Sequence, residues 1–245
     1  MKDEHSRITI RVSVPDAELS GTGTVETHIV VDGRPIVAEA FTEGSAEQPE
    51  YLLGPDRRLH ADVEAHEVRL AEADCTEGCC GALYVTIERR GDEVIWRDWR
   101  NPDEPGLDLP ALRFGAAQYD AEIIRAENDH SWEWTDRSVA RLLRTRLSEQ
   151  PDLLGRWDCH PGWVEARPNE PGRVFVSYFY PQRPGAADLW LQFVAVIALP
   201  TGDPEIVAAQ VVRLLTDTNP RRQQWLAGGS DEAAQAFGFD WPVPR

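Results

Sequence analysis

Three of the chain's four cysteines fall within six positions, in Cys75-Thr76-Glu77-Gly78-Cys79-Cys80-Gly81. Thiolates are soft metal ligands, and three of them meeting at a glycine-containing turn would supply most of a tetrahedral zinc site. The C-x3-C-C spacing lies within the range of zinc-ligand pairs, but no second C-x-x-C accompanies it. The missing ligand would have to come from Cys159, His160 or His66. Two considerations weigh against a metal. Adjacent residues such as Cys79 and Cys80 do not both chelate without a strained turn, and small thiols commonly serve as apolar packing. The expectation is therefore packed thiols without a cofactor. Zinc, with Cys75, Cys79, Cys80, Cys159 and His160 as the candidate ligands, is the alternative, and a redox site ranks third.

Other combinations carry less chemistry. Glu127 and His130 form an E-x-x-H pair, which on a helix presents carboxylate and imidazole on one face, as in di-iron bundles. There is one copy only, near a helix end, where a protonated histidine is favoured by the helix dipole. Asp158-Cys159-His160 sets a nucleophile type beside a base type, but neighbours in sequence point in different directions and do not form a dyad by adjacency. No dinucleotide-binding or phosphate-binding glycine loop, nucleophile elbow or H-E-x-x-H is present. No catalytic residue is assigned, and an enzyme is disfavoured. The nine tryptophans outnumber the seven phenylalanines and five tyrosines. Trp96 and Trp99, three apart on one strand, are expected on opposite faces of a sheet. Trp99 and Trp132 are the candidate partner-binding residues, because exposed tryptophans mark binding hot spots.

The elements that would position these residues divide at 101–110 (NPDEPGLDLP), a proline-rich stretch that reads as a linker. Before it, residues 7–14 alternate apolar and polar with period 2, and 25–31 and 36–41 flank an Asp32-Gly33 turn. Residues 42–62 read as a long loop and 63–72 as a strand. Residues 82–89 and 93–100 read as a hairpin around Arg-Gly-Asp. After it, helices are predicted over 116–129 and 136–148. The second has Thr135 as N-cap, a buried stripe of Val139, Leu142, Leu143 and Leu147, and an exposed arginine face including Arg137 and Arg144. Strands follow at 173–180 and 188–199. Next come a helix opened by Asp203-Pro204-Glu205 with Val207, Val211, Leu214 and Leu215 inside, a short helix from Asn219-Pro220 through Trp225, and a tail with one helical turn. The expected class is α+β, with a β-rich lobe of hairpins at 1–110 packed on a helix–strand–strand–helix lobe at 111–245.

Composition limits the function classes. The 245 residues are 42% apolar and carry 42 acidic against 25 basic side chains, a net charge of −17. No apolar run approaches a membrane span, and the N-terminus lacks the apolar segment of a secretory signal. Such a chain repels phosphate backbones and anionic lipid, so nucleic acid and membranes are not expected partners; a basic protein is. Of the 25 bases, 24 are arginine, the signature of a GC-rich bacterial coding sequence. Sparse cysteines point to a reducing cytoplasm. The reading is a cytoplasmic binding or interaction protein, such as an inhibitor or immunity-type protein engaging a basic partner. A metal-dependent or thiol enzyme centred on Cys75, Cys79 and Cys80, and a structural component of a larger complex, are the alternatives.

Overall fold

The computed structural model describes residues 5–15, 24–75, 77–185, 189–219 and 225–241. They form an α+β fold with three antiparallel sheets, divided into two compact units, Met1–Trp132 and Glu133–Arg245. No helix among the described residues is long and apolar enough to cross a membrane.

In the first unit the alternation of Ile8 and Ile10 with polar neighbours makes β1 (Ile8–Ser13), which pairs antiparallel with β2 (Glu26–Val31), Ile8 opposite Val31. Asp32 and Gly33 then adopt positive φ of 51° and 82°, the backbone a two-residue hairpin turn requires. The returning strand β3 is only Arg34–Pro35, and the strand expected at 36–41 is instead helix α1 (Ile36–Ala40). Pro35 offers no N–H to extend the ladder, and the Ala-Glu-Ala run favours a helix. The expected loop at 42–62 contains a one-turn helix, α2 (Pro49–Leu52), and contributes Leu52, Leu59 and Ala61 to the core.

The second sheet has the order β4 (His66–Glu72), β5 (Ala82–Arg90), β6 (Glu93–Arg100), β7 (Leu112–Gly115). The predicted hairpin is β5–β6, with Arg90 opposite Glu93. Its register slips near the open end: Thr86 faces Arg97, but Tyr84 faces Arg100. The extra residue is accommodated by Asp98 in the left-handed region, φ 51°. This bulge corrects the expectation for the tryptophans. Trp96 and Trp99 share one face, with ring centroids 6.1 Å apart in an edge-on arrangement. The proline-rich segment 101–110 is the ordered connection from β6 to β7. It opens with the Asp103 N–H donating to Asn101 Oδ1 (3.1 Å), and the Trp99 indole donates to the Pro110 carbonyl (3.1 Å).

The edges of these two short sheets are satisfied by one another and by a helix. The Thr27 N–H donates to the Glu47 carbonyl and the Glu47 N–H to the Leu70 carbonyl, joining β2 to β4; the Ser6 N–H donates to the Arg113 carbonyl beside β7. Helix α4 (Ala116–Asn128) lies along β1. Gln118 accepts from the Ile8 N–H (3.4 Å) and donates to the Ile8 carbonyl (2.9 Å). Glu122 accepts from the Ile10 N–H (2.7 Å), and Arg125 donates to the Ile10 carbonyl (2.5 Å). Four helical residues rise about 6 Å and two strand residues about 7 Å, so side chains at i and i+4 meet alternate residues of the strand.

The second unit stacks helices on one sheet of order β11 (Trp225–Gly228), β10 (Leu191–Ala198), β9 (Arg173–Tyr180), β8 (His160–Glu165). Val174, Val176, Tyr178, Leu191 and Phe193 share a core with Leu143 and Leu147 of α5 (Thr135–Glu149), Val211 and Leu215 of α6 (Pro204–Asp217), and Ala233 and Ala234 of α7 (Asp231–Phe237). Asp203 caps α6 as expected, accepting from the Glu205 and Ile206 N–H groups.

Several expectations for this unit are revised. Trp134, not Thr135, occupies the N-cap of α5. Leu142 is half-buried; on α6 Leu214 is 48% exposed and Ala208 joins Val207, Val211 and Leu215 in the buried set. Arg137 is buried with its guanidinium over the Trp134 ring, and Arg144 is half-buried, donating to the Val164 carbonyl (2.8 Å). Arg141 and Arg146 pair with Glu133 and Glu205, also within this unit. Apolar stems let arginines flank a buried stripe in this way. The short helix expected from Asn219 falls largely on residues 220–224, outside the described ones, and Trp225–Gly228 is strand β11.

Two consequences are measurable. Leu143 is fully buried, so Leu143→Ala should cost about 2–5 kcal/mol in a urea titration. Glu122→Ala, which orphans the Ile10 N–H, should cost about 1–3 kcal/mol near neutral pH. Burial raises the Glu122 carboxyl, but hydrogen bonds from Arg125 and the Ile10 amide, with the Arg125 charge, outweigh it and hold it below its ordinary 4.5. Its contribution is complete above the unfolded value and lost as pH falls through the lower folded value. Variant and parent should therefore converge in stability in acid.

Candidate metal centre

The thiols sit in the connection between β4 and β5. The Ala73 N–H donates to the Gly81 carbonyl (3.1 Å), closing the base of the loop where Glu72 faces Ala82. Inside it, Glu77–Cys80 form a single helical turn, α3, whose Glu77 N–H donates to Glu72 Oε1 (3.3 Å) and whose Glu77 carbonyl accepts from the Gly81 N–H (2.9 Å). The Glu77 carboxylate also takes the Tyr84 hydroxyl. Burial and this hydrogen bond raise the Tyr84 phenol. Arg100 stacks on Tyr84 at 4.1 Å while gripping Glu67 with two hydrogen bonds. Gly81 ends the turn at φ +83°, and a Cβ there would lie 2.1 Å from Asn101 Oδ1. The loop is thus clamped between the sheet and the turn at 101–104.

This clamp brings Cys75, Cys79 and Cys80 together, with all three sulfurs within 4.8 Å of one another. Cys79 Sγ and Cys80 Sγ stand 3.7 Å apart. In a tetrahedral site with Zn–S near about 2.3 Å, neighbouring sulfurs are roughly 3.8 Å apart. The expected obstacle to adjacent cysteines is absent: the left-handed residue is Gly81, outside the pair. Cys75 and Cys79 are exposed, and Cys80 is half-buried against the first core. Hydrogen bonds with Cys75 and Cys79, with some burial, push the Cys80 thiol up to about 12. The same crowding allows one cation to replace the shared protons.

The other predicted ligands have hydrogen-bond partners of their own. The Cys159 thiol lies in the core of the second unit and donates to the Trp157 carbonyl (3.4 Å). His160 begins β8 in that unit, its Nε2 donating to the Pro181 carbonyl (3.0 Å). His66 is at the opposite end of β4 from the loop, with Nε2 donating to the Arg58 carbonyl (2.9 Å). Of the candidate partner-binding tryptophans, both are half-buried. Trp99 packs against the first core, and Trp132 donates to the Asp129 carbonyl (2.8 Å). Helix α4 ends before His130, and Glu127 bonds His60 (2.7 Å), a partner 67 residues away.

His60 borders a broad cleft of about 1060 Å³ in the first unit, lined also by Arg57, Arg58, His66, Arg89 and Asp120. Its cationic groups are engaged. Arg57 donates to His60 Nδ1 (2.8 Å), so His60 Nε2 carries the proton given to Glu127; Arg89 bonds Asp120 and the Ala61 carbonyl, and Arg58 bonds Asp56. No local sequence signal announces these pairs.

The clamp can be tested at its glycine. Gly81→Ala should destabilise the chain by about 1–3 kcal/mol and change the reactivity of the three thiols toward a chromogenic disulfide. Gly78→Ala, with nothing within 4 Å of the added Cβ, should change stability by less than about 0.5 kcal/mol. The chain matches no protein-family model, no curated protein and no solved structure.

Proposed function

We propose that the chain is a metal-binding protein, with Cys75, Cys79 and Cys80 taking one thiophilic cation of the zinc class. The supporting observation is the approach of the three sulfurs to within 4.8 Å of one another. Three thiolates suit a soft or borderline cation and disfavour magnesium or calcium, which take oxygen ligands. The exposed setting of Cys75 and Cys79 leaves the group open to an ion from solvent.

A second reading adds a basic protein partner. Residues 1–132 hold 28 acidic and 13 basic side chains, a net of −15, leaving −2 for residues 133–245. The excess of acid over base therefore lies mostly in the unit that carries the thiols, a distribution that attracts cations and steers basic surfaces.

Reduced, metal-free protein titrated with zinc should bind one ion per chain, with release of protons. At a hundredfold excess over Kd, zinc should raise stability by about 2.7 kcal/mol. Cys79→Ser should lose at least about a hundredfold in affinity, while magnesium should leave the melting temperature unchanged. Absence of stoichiometric zinc binding would overturn the proposal.

A further inference from the structure

We infer that the metal's fourth ligand comes from outside the chain, as a neutral nitrogen donor of the imidazole class. This inference rests on the metal-binding reading above. Among the described residues the group of converging donors ends at three cysteines, whereas a structural zinc site closes with four protein ligands. Of the nearby carboxylates, Glu72 binds Arg69 and the Glu77 N–H, Glu77 binds Tyr84, and Asp74 accepts from the Ser45 hydroxyl; Asp103, exposed beside Gly81, stands outside the group of converging donors. His66 lies six residues back along β4, on the order of 20 Å from the loop at strand rise. Cys75 and Cys79 are exposed, so the open corner is reachable from solvent.

Charge selects the class of ligand. A divalent ion with three thiolates carries −1, inside a unit of net −15. A fourth thiolate or a carboxylate would add another negative charge to that field; water and imidazole add none, and of these two imidazole is the stronger ligand for zinc-class ions and displaces water. A histidine on a basic protein surface combines this donor with attraction to the acidic unit. The site then holds its ion by three protein bonds and completes the shell on encounter, an arrangement suited to metal-dependent docking or to passing the ion onward.

The test uses the full chain loaded with one equivalent of Co(II), whose visible bands report coordination, titrated with free imidazole and separately with 2-mercaptoethanol. The expected result is a saturable band shift with imidazole at unchanged one-to-one cobalt, at lower concentration than any shift caused by the thiol. His66→Ala and His160→Ala should bind cobalt within threefold of the parent. Bands that neither reagent moves, or a tenfold loss of affinity in either histidine variant, would show that the chain supplies its own fourth ligand and overturn the inference. A shift at lower concentration with the thiol would overturn the choice of a neutral donor. Failure to bind cobalt at all would overturn the metal-binding reading, and the inference with it.

Discussion

The hydroxyl of Tyr119 is buried at the meeting point of three segments of the first unit, and the packing around it depends on its hydrogen bonds. It accepts from the Trp96 indole (3.1 Å) and donates to the Leu59 carbonyl (2.6 Å). Burial raises its affinity for its proton, so it remains a donor across the accessible pH range. Trp96 and Phe114 pack on the same ring, 6.2 and 5.5 Å away between centroids. Strands β6 and β7, helix α4 and the segment at 53–61 are therefore aligned by one phenol. A polar group in a dry core fixes geometry because an alternative packing would leave donors and acceptors without partners.

That alignment extends to the thiols. The β5–β6 hairpin carries Trp96 at one point and Asn101 just beyond its end, and Asn101 is the residue against which Gly81 is pressed. The thiol loop is short, and its described contacts with the rest of the unit include those through Glu72, Tyr84 and Asn101. A site assembled in this way on the edge of a rigid sheet keeps three sulfurs close without needing a core of its own.

The sequence announces elements with strong local periodicity or turn chemistry, and the structure contains them: the hairpin around Arg90-Gly91, the helices at 116, 135 and 204, and the strands at 173 and 191. Where the deciding contact is distant, the sequence is silent. The bulge at Asp98 depends on the register of a partner strand, β7 and β11 have four residues each, and α1 follows from a ladder that stops at Pro35. The candidate site divides the same way. The type and spacing of Cys75, Cys79 and Cys80 are visible in the sequence. Their convergence is not, because it rests on a glycine meeting an asparagine twenty residues on. His66, Cys159 and His160 each have a hydrogen-bond partner that the sequence does not announce: the Arg58, Pro181 and Trp157 carbonyls take His66, His160 and Cys159 respectively.

Gln118, Glu122 and Arg125 look like the water-facing side of an amphipathic helix. In the structure they act as a surrogate strand, occupying the N–H and carbonyl groups that Ile8 and Ile10 would otherwise present. An exposed strand edge is a template for pairing with other chains. These three polar side chains therefore guard the molecule against self-association. Surface redesign that treated them as interchangeable solubilising residues would expose β1 as a nucleus for cross-β aggregation.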